Sequence, residues 1–519
     1  MRLPEFSNEP LSDFKGNPEH TRRMKAALAE VERELGRQYG LVIGGERVQT
    51  EDKLCSFDPS QKDRVVGAFA KATPELADRA IRLADETFKG WSRTPAEDRV
   101  KLLVDTAKIL RDRKYHFAAW MVYEAGKTWP EADADVAEAI DFCEFYAREM
   151  LRLAAPQPLT PVPGEKNTLR YIPLGVGAVI PPWNFPLAIL AGMTAASIVA
   201  GNTAVLKPSS DSPTIGYKFV EALEQAGLPA GVVNFLPGPG ATVGDVLVAH
   251  PRTRYIAFTG SKEIGLRINE LVAKHVAGQV WIKRVIVEMG GKDSIVVDSE
   301  ADLDAAVEGV AVSAFGFQGQ KCSACSRAIV VEKVYDAFLD KLKARVEKIK
   351  VGPAANEDVY MGPVINANAK KSILKYIEIG KREGRLITGG GELPGPGHFI
   401  EPTVIADVPP KARIAQEEIF GPVLAVIKAQ DFDEALEVAN NTEYGLTGAV
   451  YAEDRRKLDK AAREFHVGNL YLNRKCTGAM VGAHPFGGFN MSGTDSKAGG
   501  RDYLLLFTQA KAIAEKVAT

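Results

Sequence analysis

The spacing of hydrophobic residues changes near residue 175. Before that point, apolar side chains recur every three or four residues, and this pattern predicts an amphipathic helix over residues 22–35. Two more helix starts are predicted at Thr73 and Thr94, where a hydroxyl residue that can cap a helix precedes a proline. A further helix is predicted over residues 134–145. The first third of the chain is therefore expected to be mainly helical scaffold.

After residue 175, short apolar runs without polar alternation are separated by helical stretches, as in a sheet whose strands are covered on both faces. The predicted strands are 177–180, 203–206, 232–235, 255–258 and 285–287, and the predicted helices are 212–226, 241–249 and 262–274. Strands that alternate with helices favour a parallel, doubly wound sheet that binds its ligand at the carboxyl ends of its strands. A second alternation over 294–481 predicts a second α/β domain.

Composition favours an ordinary folded protein with a small-molecule ligand. The 519 residues are 45% hydrophobic and 25% charged, which excludes intrinsic disorder. The net charge is -2, from 65 basic and 67 acidic residues, so the chain lacks the charge of a surface for nucleic acid or an anionic membrane. We expect no nucleic-acid partner and no membrane partner.

The cysteines and the N-terminus bear on the location of the protein. Five cysteines without a framework spacing favour a reducing compartment, in which they work as thiols. Residues 1–13 lack the charged-then-apolar pattern of a secretory signal. The longest apolar stretch, over 187–200, is too short to cross a bilayer. We therefore expect a cytoplasmic location and no membrane-spanning segment.

Cys322 and Cys325 form a Cys-x-x-Cys pair that has three interpretations. A structural zinc site needs about four ligands, and neither a second cysteine pair nor a nearby histidine is present in the sequence. A redox pair would be expected at the start of a helix in a small domain. The third interpretation is a single nucleophile, Cys322, whose thiolate is favoured by the positive charge of Lys321. Cys325 would then be a packed bystander, and no metal would be bound.

Two polar residues that follow apolar runs could serve such a nucleophile. Glu288 follows the predicted strand 285–287, and burial there would raise its pKa towards that of a general base. Taken alone, a surface turn is the commoner interpretation of Glu288. Asn184 lies in a proline-rich turn after the strand 177–180, where its amide could donate to a developing oxyanion or could simply cap the turn.

Two other segments at predicted strand ends suit ribose or phosphate groups. Lys207 follows the strand 203–206, and its ammonium could meet ribose hydroxyls or phosphate. Gly260, Ser261 and Gly265 form a turn into a helix whose first N–H groups suit a pyrophosphate. This segment is neither a Walker loop nor the usual dinucleotide fingerprint. Each pattern is weak evidence for a binding site by itself, and the patterns gain weight only in combination.

Together these motifs resemble the aldehyde dehydrogenase superfamily. The matching segments follow the family's order across most of the chain, and they are Pro182-Trp183-Asn184-Phe185-Pro186, Lys207-Pro208-Ser209, Phe258-Thr259-Gly260-Ser261, Glu288-Met289-Gly290-Gly291-Lys292, Gly319-Gln320-Lys321-Cys322, Glu417-Glu418-Ile419-Phe420-Gly421-Pro422 and Pro485-Phe486-Gly487-Gly488. Within the superfamily, the segments that resemble the 1-pyrroline-5-carboxylate dehydrogenases are 321–327, Asn8-Glu9-Pro10 with Asp13-Phe14, and Ser492-Gly493-Thr494-Asp495.

The resemblance implies a fold and a reaction. The fold would be α/β and aldehyde dehydrogenase-like, with two doubly wound α/β domains, for NAD binding and catalysis, and a small oligomerisation arm. The NAD-binding domain would comprise 1–154 and 174–290, the catalytic domain 291–495, and the arm 155–173 and 496–519. The reaction would be the NAD-dependent oxidation of L-glutamate γ-semialdehyde to L-glutamate in proline degradation.

The resemblance also assigns catalytic roles. Cys322 would attack the aldehyde carbon, and the Asn184 amide with the Cys322 N–H would stabilise the oxyanion. A thioester would remain on the sulfur after oxidation. Glu288 would activate the water that hydrolyses this thioester, so the acyl group would leave as a carboxylate.

The expected cofactor is NAD, with NADP tolerated. The cofactor-binding residues implied by the resemblance are Pro182, Trp183, Lys207, Ser210, Gly260, Ser261, Gly265, Glu418 and Phe420. Lys207 and Glu418 would bind ribose hydroxyls, and Ser261 would bind the pyrophosphate. Relatives that prefer NAD often carry a glutamate where this chain has Ser210, so the charge that would repel a 2′-phosphate is absent here.

The resemblance also describes the substrate site. Its residues would be Ser323, Gly478 and Ala479 at the α-carboxylate, Phe185 and Phe486 along the methylenes, and Glu138 at the ammonium. For Phe486, core packing is an equal alternative, and Glu138 could be an ordinary exposed residue of a helix.

Two rival functions would share these residues. A succinate semialdehyde dehydrogenase would keep the catalytic set and differ in the loop 477–482. A catalytically inactive relative would keep only the fold, and the intact catalytic residues argue against it.

The family is usually dimeric or built from dimers, so a homo-oligomer is expected. The chain length leaves no room for a full proline-oxidising module, so we expect a separate proline dehydrogenase upstream, with physical contact undetermined.

Overall fold

The computed structural model describes residues 3–517. Its helices are α1 Pro18–Glu32, α2 Pro74–Trp91, α3 Ala96–Asp112, α4 Lys114–Ala125, α5 Trp129–Ala154, α6 Ala188–Val199, α7 Pro213–Gln225, α8 Asp245–Ala249, α9 Lys262–Ala273, α10 Leu303–Phe315, α11 Glu332–Val346, α12 Ala367–Glu383, α13 Arg413–Gln416, α14 Phe432–Asn440 and α15 Arg455–Glu464. Residues 1–2 and 518–519, which the predicted NAD-binding domain and arm include, lie outside the described residues.

The strands are β1 Arg37–Tyr39, β2 Leu41–Ile43, β3 Glu46–Val48, β4 Lys53–Asp58, β5 Gln61–Ala70, β6 Glu165–Pro173, β7 Val176–Ile180, β8 Thr203–Leu206, β9 Val233–Phe235, β10 Thr253–Thr259, β11 Arg284–Glu288, β12 Asp293–Val297, β13 Cys325–Val331, β14 Arg385–Thr388, β15 Thr403–Ala406, β16 Val423–Ala429, β17 Tyr444–Gly445, β18 Thr447–Tyr451, β19 Asn469–Leu472, β20 Phe489–Asn490 and β21 Thr508–Lys516.

A seven-stranded sheet in the order β11-β10-β7-β8-β9-β2-β3 follows the helical part of the chain. The strands β11, β10, β7, β8 and β9 are parallel, and they are the five strands predicted from unbroken apolar runs, with small shifts at their ends. The hairpin β2-β3 extends the sheet in the antiparallel sense. The sheet is therefore mixed, although its central part is parallel as predicted.

The carboxyl ends of the parallel strands bring the predicted polar segments to one edge of this sheet. Because neighbouring parallel strands end on the same side, the residues that follow them are close in space. These residues are 181–184 after β7, Lys207 after β8 and 260–261 after β10, and Glu288 is the last residue of β11.

A second seven-stranded sheet has the order β14-β15-β16-β13-β12-β18-β19 and is parallel except at β14. Residues 289–292 alone connect β11 of the first sheet to β12 of the second. The carboxyl end of β11 and the amino end of β12 therefore lie close together. Cys322 precedes β13, which pairs directly with β12, so the cysteine lies at this meeting point of the two sheets.

The remaining helices and strands surround the first sheet. One continuous hydrophobic core joins α1, α3, α4 and α5 to α6 and α7. The strands β6 and β21 pair antiparallel along nine residues and form a separate two-stranded ribbon. Asn202 lies where this ribbon meets the body: its Oδ1 accepts the Leu174 and Gly175 N–H groups at 2.7 and 2.9 Å, and its Nδ2 donates to the Phe507 carbonyl at 2.8 Å.

Three local features differ from the sequence-based expectations. The strands before α2 were not predicted, although Gly44 and Gly45, with φ of 64° and 84°, form the β2-β3 turn and were a usable hairpin signal. The helix start at Thr73 is confirmed, because its Oγ1 accepts the Leu76 N–H at 3.3 Å. A helix also starts close to Thr94, as predicted, but α3 begins after Pro95 and its N-cap residue makes no side-chain hydrogen bond, so the cap differs from the prediction. The predicted helix 241–249 begins with a π-helical turn and is α-helical only in α8.

Within residues 3–517, every helix is either too short or too polar to cross a membrane. The apolar stretch 187–200 forms α6, which is buried in the core beside α5.

Candidate active site

The backbone that leads to Cys322 has an unusual conformation. Phe317 and Gln318 have φ of 48° and 58°, and Gly319 follows with φ of 67°. This left-handed conformation is unfavourable for residues that carry a side chain, and it persists where the surroundings determine it. The side chain of Gln318 provides such a determinant.

Gln318 is buried and makes hydrogen bonds with both ends of its amide group. Its Nε2 donates to the Gly126 carbonyl at 3.2 Å and to the Pro363 carbonyl at 2.7 Å. Its Oε1 accepts the Gly362 N–H at 3.0 Å. Two separate segments of the chain therefore fix the turn that precedes the cysteine.

Asn184 lies against the backbone beside Cys322. Its Nδ2 donates to the Gln320 carbonyl at 3.0 Å, and Gln320 Oε1 accepts the Ile365 N–H at 2.9 Å. An amide nitrogen carries two hydrogens, so a second donor of Asn184 remains for an oxygen bound near Cys322. The structure thus brings Asn184 and the cysteine loop together, as the sequence predicted for an oxyanion site.

Cys322 is half-buried and lies where backbone passes very close. A Cβ built on Gly291 would be 2.3 Å from the Cys322 carbonyl oxygen and 2.5 Å from Asp293 Oδ2. The absence of a side chain at Gly291 therefore allows the backbone to pass close to Cys322. Burial and the surrounding carboxyl groups, first among them Asp293, raise the pKa of the Cys322 thiol above its ordinary value.

The expectation that Lys321 favours the thiolate of Cys322 was wrong. Lys321 Nζ pairs with Glu131 Oε1 of α5 at 2.9 Å, so its charge is already compensated. The carboxyl groups near the sulfur and its burial act in the opposite direction. Neighbouring positions in sequence could not show this pairing, because Glu131 is on a distant helix.

Cys325 is packed inside the protein. It is 1% exposed, and its Sγ donates to the Arg327 carbonyl at 3.3 Å. All five cysteines are free thiols, and Cys325 has the environment of a bystander.

Glu288 is buried at the end of β11, so the interpretation as a surface turn was wrong. Its Oε2 accepts the Gly488 N–H at 3.0 Å, and its Oε1 accepts the Ser496 N–H at 3.1 Å and the Ser496 hydroxyl at 2.7 Å. Burial raises the pKa of Glu288 to about 7, and the hydrogen bonds from Ser496 and Gly488 act against this rise. A carboxylate with this pKa can take a proton near neutral pH.

Lys207 is a buried cation, and Glu418 is a half-buried carboxylate. Lys207 is 5% exposed, its Nζ donates to the Pro208 carbonyl at 3.2 Å, and burial lowers its pKa to about 8. Glu418 accepts the Gly291 N–H at 3.0 Å, and burial raises its pKa to about 7. Charged groups with so few partners have spare hydrogen-bonding capacity for a polar ligand. Ser210 follows Lys207 in the turn after β8 and is half-buried.

The N-terminus of α9 lies beside the end of β11. Ser261 caps this helix and is exposed, and the Gly260 N–H donates to the Glu288 carbonyl at 3.0 Å. A Cβ on Gly265 would be 2.4 Å from Met289 Sδ, so a glycine is required for the helix to pack here. The exposed first turn of α9 has the N–H groups and the dipole end that suit an anion.

Aromatic side chains connect the turn after β7 with the second sheet. The Trp183 ring lies edge-on to Phe420, with centroids 5.5 Å apart, and is 6.5 Å from Phe317. Phe420 has φ of 57°, which turns its ring towards this contact region. Pro182, directly before Trp183, is half-buried in the same turn.

Lys127 is a buried cation that the sequence analysis missed. It is 0% exposed, and its Nζ lies 4.3 Å from the Phe185 ring centroid and 3.9 Å from that of Phe317. Asp135 Oδ2 is 3.2 Å from the same nitrogen. These contacts join Phe185 to the left-handed turn before the cysteine. Lysine is almost never fully buried, so its residue type gave no signal of this position.

The residues predicted to bind the substrate's α-carboxylate lie in two places, at a buried serine and in a loop. The Ser323 carbonyl accepts hydrogen bonds from Thr447 and Cys476 at 3.4 Å each, which places Ser323 between the two chain segments. We call residues 477–482 the anchor loop. Within it, Gly478 has φ of 77° and its carbonyl accepts a hydrogen bond from Arg474 at 3.1 Å, and Ala479 follows half-buried.

Phe486 and Glu138 occupy different environments. Phe486 is half-buried and pairs with Ala498 through two backbone hydrogen bonds of 2.8 and 2.7 Å. Glu138 on α5 is half-buried, and burial raises its pKa to about 8. Glu138 is therefore not an ordinary exposed residue of a helix.

Comparison with known proteins supports this arrangement. The model of the aldehyde dehydrogenase family matches residues 47–513. The chain belongs to the aldehyde dehydrogenase family. The predicted α/β fold of this family is therefore confirmed. Among curated relatives, the 1-pyrroline-5-carboxylate dehydrogenase of Geobacillus kaustophilus is 61% identical over 512 residues, which cover 98% of this chain and 99% of that relative.

Two solved structures have a closely similar fold. A 1-pyrroline-5-carboxylate dehydrogenase from Thermus with bound NAD aligns with a TM-score of 0.98 at 54% identity, covering 99% of this chain and 100% of that one. Proline utilization A from Bdellovibrio bacteriovorus aligns with a TM-score of 0.97 at 46% identity, covering 99% of this chain and 54% of that one.

The electrostatic environment of Cys322 predicts a shift in its reactivity with pH. Glu288→Gln removes a carboxylate that raises the pKa of the thiol, so the pKa should fall and alkylation by iodoacetamide should begin at lower pH. The measurement is the rate of Cys322 carbamidomethylation against pH, followed by mass spectrometry of the tryptic peptide. Glu263→Gln, at an exposed position of α9, is the control. An unchanged or raised pH midpoint in Glu288→Gln would contradict the electrostatic account.

Proposed function

We propose that this enzyme oxidises L-glutamate γ-semialdehyde, the open form of 1-pyrroline-5-carboxylate, to L-glutamate with NAD, in proline degradation. The observation that carries the proposal is the meeting of a thiol, an amide donor and a buried base at the junction of the two sheets: Cys322, Asn184 and Glu288. The name of the relative at 61% identity over nearly the whole chain supports the substrate.

Cys322 is the nucleophile in this proposal. Its thiolate adds to the aldehyde carbon and forms a tetrahedral thiohemiacetal, whose oxyanion accepts the free hydrogen of the Asn184 amide and the Cys322 N–H. Removing one such donor typically costs about 3 kcal/mol of transition-state stabilisation. NAD, when bound, accepts the hydride that the adduct releases. Cys322 is then left as a thioester.

Glu288 is the base that completes the reaction. With a pKa of about 7 it takes a proton from water, and the resulting hydroxide equivalent attacks the thioester to release glutamate and the free thiol. Transfer of the acyl group to a thiol acceptor would need no such base, so a buried carboxylate at this place supports hydrolysis.

The residues at the carboxyl edge of the first sheet fit NAD. Lys207 and Glu418 bind ribose hydroxyls in this proposal, because the buried lysine and the half-buried glutamate both have hydrogen-bonding capacity to spare. The capped and exposed N-terminus of α9 at Ser261 suits the pyrophosphate. Ser210 carries no charge that would repel a 2′-phosphate, so NADP is tolerated.

The substrate's α-carboxylate binds to Ser323 and the N–H groups of Gly478 and Ala479 in this proposal. Anion recognition by backbone N–H groups suits a glycine with positive φ, as at Gly478. Phe185, held over the Lys127 ammonium, forms one wall for the methylenes. Glu138 faces the ammonium, and Phe486 closes the opposite side.

We further propose the division into an NAD-binding domain of 1–154 and 174–290, a catalytic domain of 291–495, and an oligomerisation arm of 155–173 and 496–519. A two-stranded ribbon such as β6-β21 is marginal by itself, which supports its packing against a second copy in a homodimer or a dimer-built assembly. A separate proline dehydrogenase supplies the substrate. We place the protein in the cytoplasm, in keeping with its five free cysteines.

The covalent step gives the direct test of this function. NADH formation should be faster with L-glutamate γ-semialdehyde than with succinate semialdehyde, and Cys322→Ala should abolish it. In Glu288→Gln the thioester should accumulate on Cys322, because hydrolysis loses its base, and intact-mass spectrometry after a quench should detect the adduct. Cys325→Ala is the matched control and should retain activity, since Cys325 is a packed bystander. An adduct on another residue, or a preference for succinate semialdehyde, would overturn the assignment.

The pH dependence of kcat tests the role of Glu288. Ser496→Ala removes the hydroxyl that donates to Oε1 and favours the ionised form, so the pKa of Glu288 should rise above about 7. Because the ionised carboxylate is the active base, the acidic limb of kcat should move to higher pH by about one unit, the value of one charge-assisted hydrogen bond. Ser496→Thr keeps the hydroxyl and should leave the limb near pH 7. A limb that stays in place in Ser496→Ala would exclude Glu288 as the base.

The preference for the dinucleotide tests the proposal at Ser210. We expect kcat/KM to favour NAD with measurable activity on NADP, and Ser210→Glu should lower kcat/KM for NADP selectively by charge repulsion. Steady-state rates with both cofactors provide the measurement. A wild-type ratio that favours NADP would contradict the choice of NAD.

A further inference from the structure

The N-terminal segment, residues 3–17, crosses α4 and α5 without forming a helix or a strand. Side chains of the two helices hold it in place. Ser12 donates through its N–H and its hydroxyl to Asp133 at 2.8 and 2.6 Å. Lys114 Nζ donates to the Pro10 carbonyl at 2.8 Å and lies 3.0 Å from Asp133. The segment is therefore docked on the helices through buried and half-buried polar groups.

The other end of the segment packs on the last turns of α5. The Phe6 ring lies edge-on to Phe145 with centroids 5.2 Å apart, and Arg148 Nε donates to the Pro4 carbonyl at 2.9 Å. These contacts place residues 4–8 next to the end of the anchor loop.

Asn8 bridges α5 and the anchor loop. Asp141 of α5 is 7% exposed, and its two carboxylate oxygens accept the Glu9 N–H at 2.7 Å and Asn8 Nδ2 at 2.9 Å. The same Asn8 nitrogen donates its second hydrogen to the Val481 carbonyl at 3.0 Å. A single amide group is thus shared between a helix that lines the site and the loop that carries the proposed carboxylate donors.

The end of the anchor loop also packs against the N-terminal segment. Gly482 has φ of 81°, and a Cβ there would be 3.1 Å from the Phe6 ring and 3.2 Å from the Phe145 ring. Its N–H donates to the Gly499 carbonyl at 2.8 Å. The loop therefore closes between the N-terminal segment on one side and residues near the C-terminus on the other.

We propose that the N-terminal segment determines substrate specificity: Asn8, through its hydrogen bond to the Val481 carbonyl, positions the anchor loop so that the Gly478 and Ala479 N–H groups meet the substrate's α-carboxylate. The inference rests on the proposed function of this loop. Asn8 is a positioning residue, since it acts through Val481 and is not in contact with substrate in this proposal. Asn8 belongs to the motif Asn8-Glu9-Pro10 noted in the sequence, and the proposal gives this motif a function in positioning the anchor loop.

The test compares an aldehyde that has an α-carboxylate with one that lacks it. In Asn8→Ala, KM for L-glutamate γ-semialdehyde should rise about fivefold, the effect of losing one hydrogen bond of ordinary strength. KM and kcat for butanal, and KM for NAD, should stay within twofold, because butanal does not use the anchor loop. The inhibition constant of the product L-glutamate should rise in parallel with KM for the semialdehyde.

Two further variants separate positioning from loss of stability. The double variant Asn8→Asp with Asp141→Asn restores a hydrogen bond between positions 8 and 141, but an aspartate at 8 has no hydrogen to donate to Val481. It should recover part of the thermal stability that Asn8→Ala loses, because the bond to α5 is restored, while retaining the raised KM. Ser12→Ala weakens the docking of the segment at Asp133, far from the anchor loop, and should lower the melting temperature without raising KM.

Two outcomes would overturn the inference. One is an equal rise of KM for both aldehydes in Asn8→Ala, and the other is a normal KM for the semialdehyde in the double variant. Should Asn8→Ala fail to fold, the double variant decides alone. A native protein that oxidises butanal but not L-glutamate γ-semialdehyde would refute the proposed function itself, and this result is distinct from an effect of Asn8.

Discussion

The site depends on a backbone constraint: the left-handed turn that delivers Cys322 to the meeting point of the two sheets. Buried hydrogen bonds of the Gln318 amide stabilise the unfavourable conformation of Phe317 and Gln318. Its Nε2 donates to the carbonyls of Gly126 and Pro363, and its Oε1 accepts the Gly362 N–H. Because these partners belong to separate parts of the chain, the position of the sulfur is determined by tertiary structure. The local sequence around the cysteine could not hold it there alone.

Helix α5 links this turn to the rest of the site through carboxylates on different turns. Glu131 pairs with Lys321 beside Cys322. Asp135 lies beside Lys127, whose ammonium is over the Phe185 ring, and its other oxygen accepts the Ala188 N–H at 2.6 Å. Asp141 holds the N-terminal segment. The 26-residue helix α5 thus contributes to the environment of Cys322, of Phe185 and of the anchor loop.

The elements that could be predicted from sequence are those whose burial leaves a pattern. The parallel strands are covered on both faces and read as unbroken apolar runs, so Lys207 and Glu288 could be placed at strand ends. Of the strands before α2, β1, β2 and β3 have only three residues each, and β1 and β3 are partly exposed, so their pattern was hidden among the helices. Contacts between distant segments could not be predicted from the sequence: Lys127 under Phe185 and Glu131 with Lys321 depend on the fold itself. The same holds for the burial and the carboxyl groups, first among them Asp293, that raise the pKa of Cys322.

Asn202 ties both strands of the β6-β21 ribbon to the body. Its amide binds the chain just after β6, at Leu174 and Gly175, and just before β21, at Phe507. Arg284 of β11 holds the same region, because its Nη1 donates to the carbonyls of Leu505, Leu506 and Thr508 at 2.9, 2.7 and 2.8 Å. The direction in which the ribbon leaves the body is therefore set at its base by the side chains of Asn202 and Arg284 together.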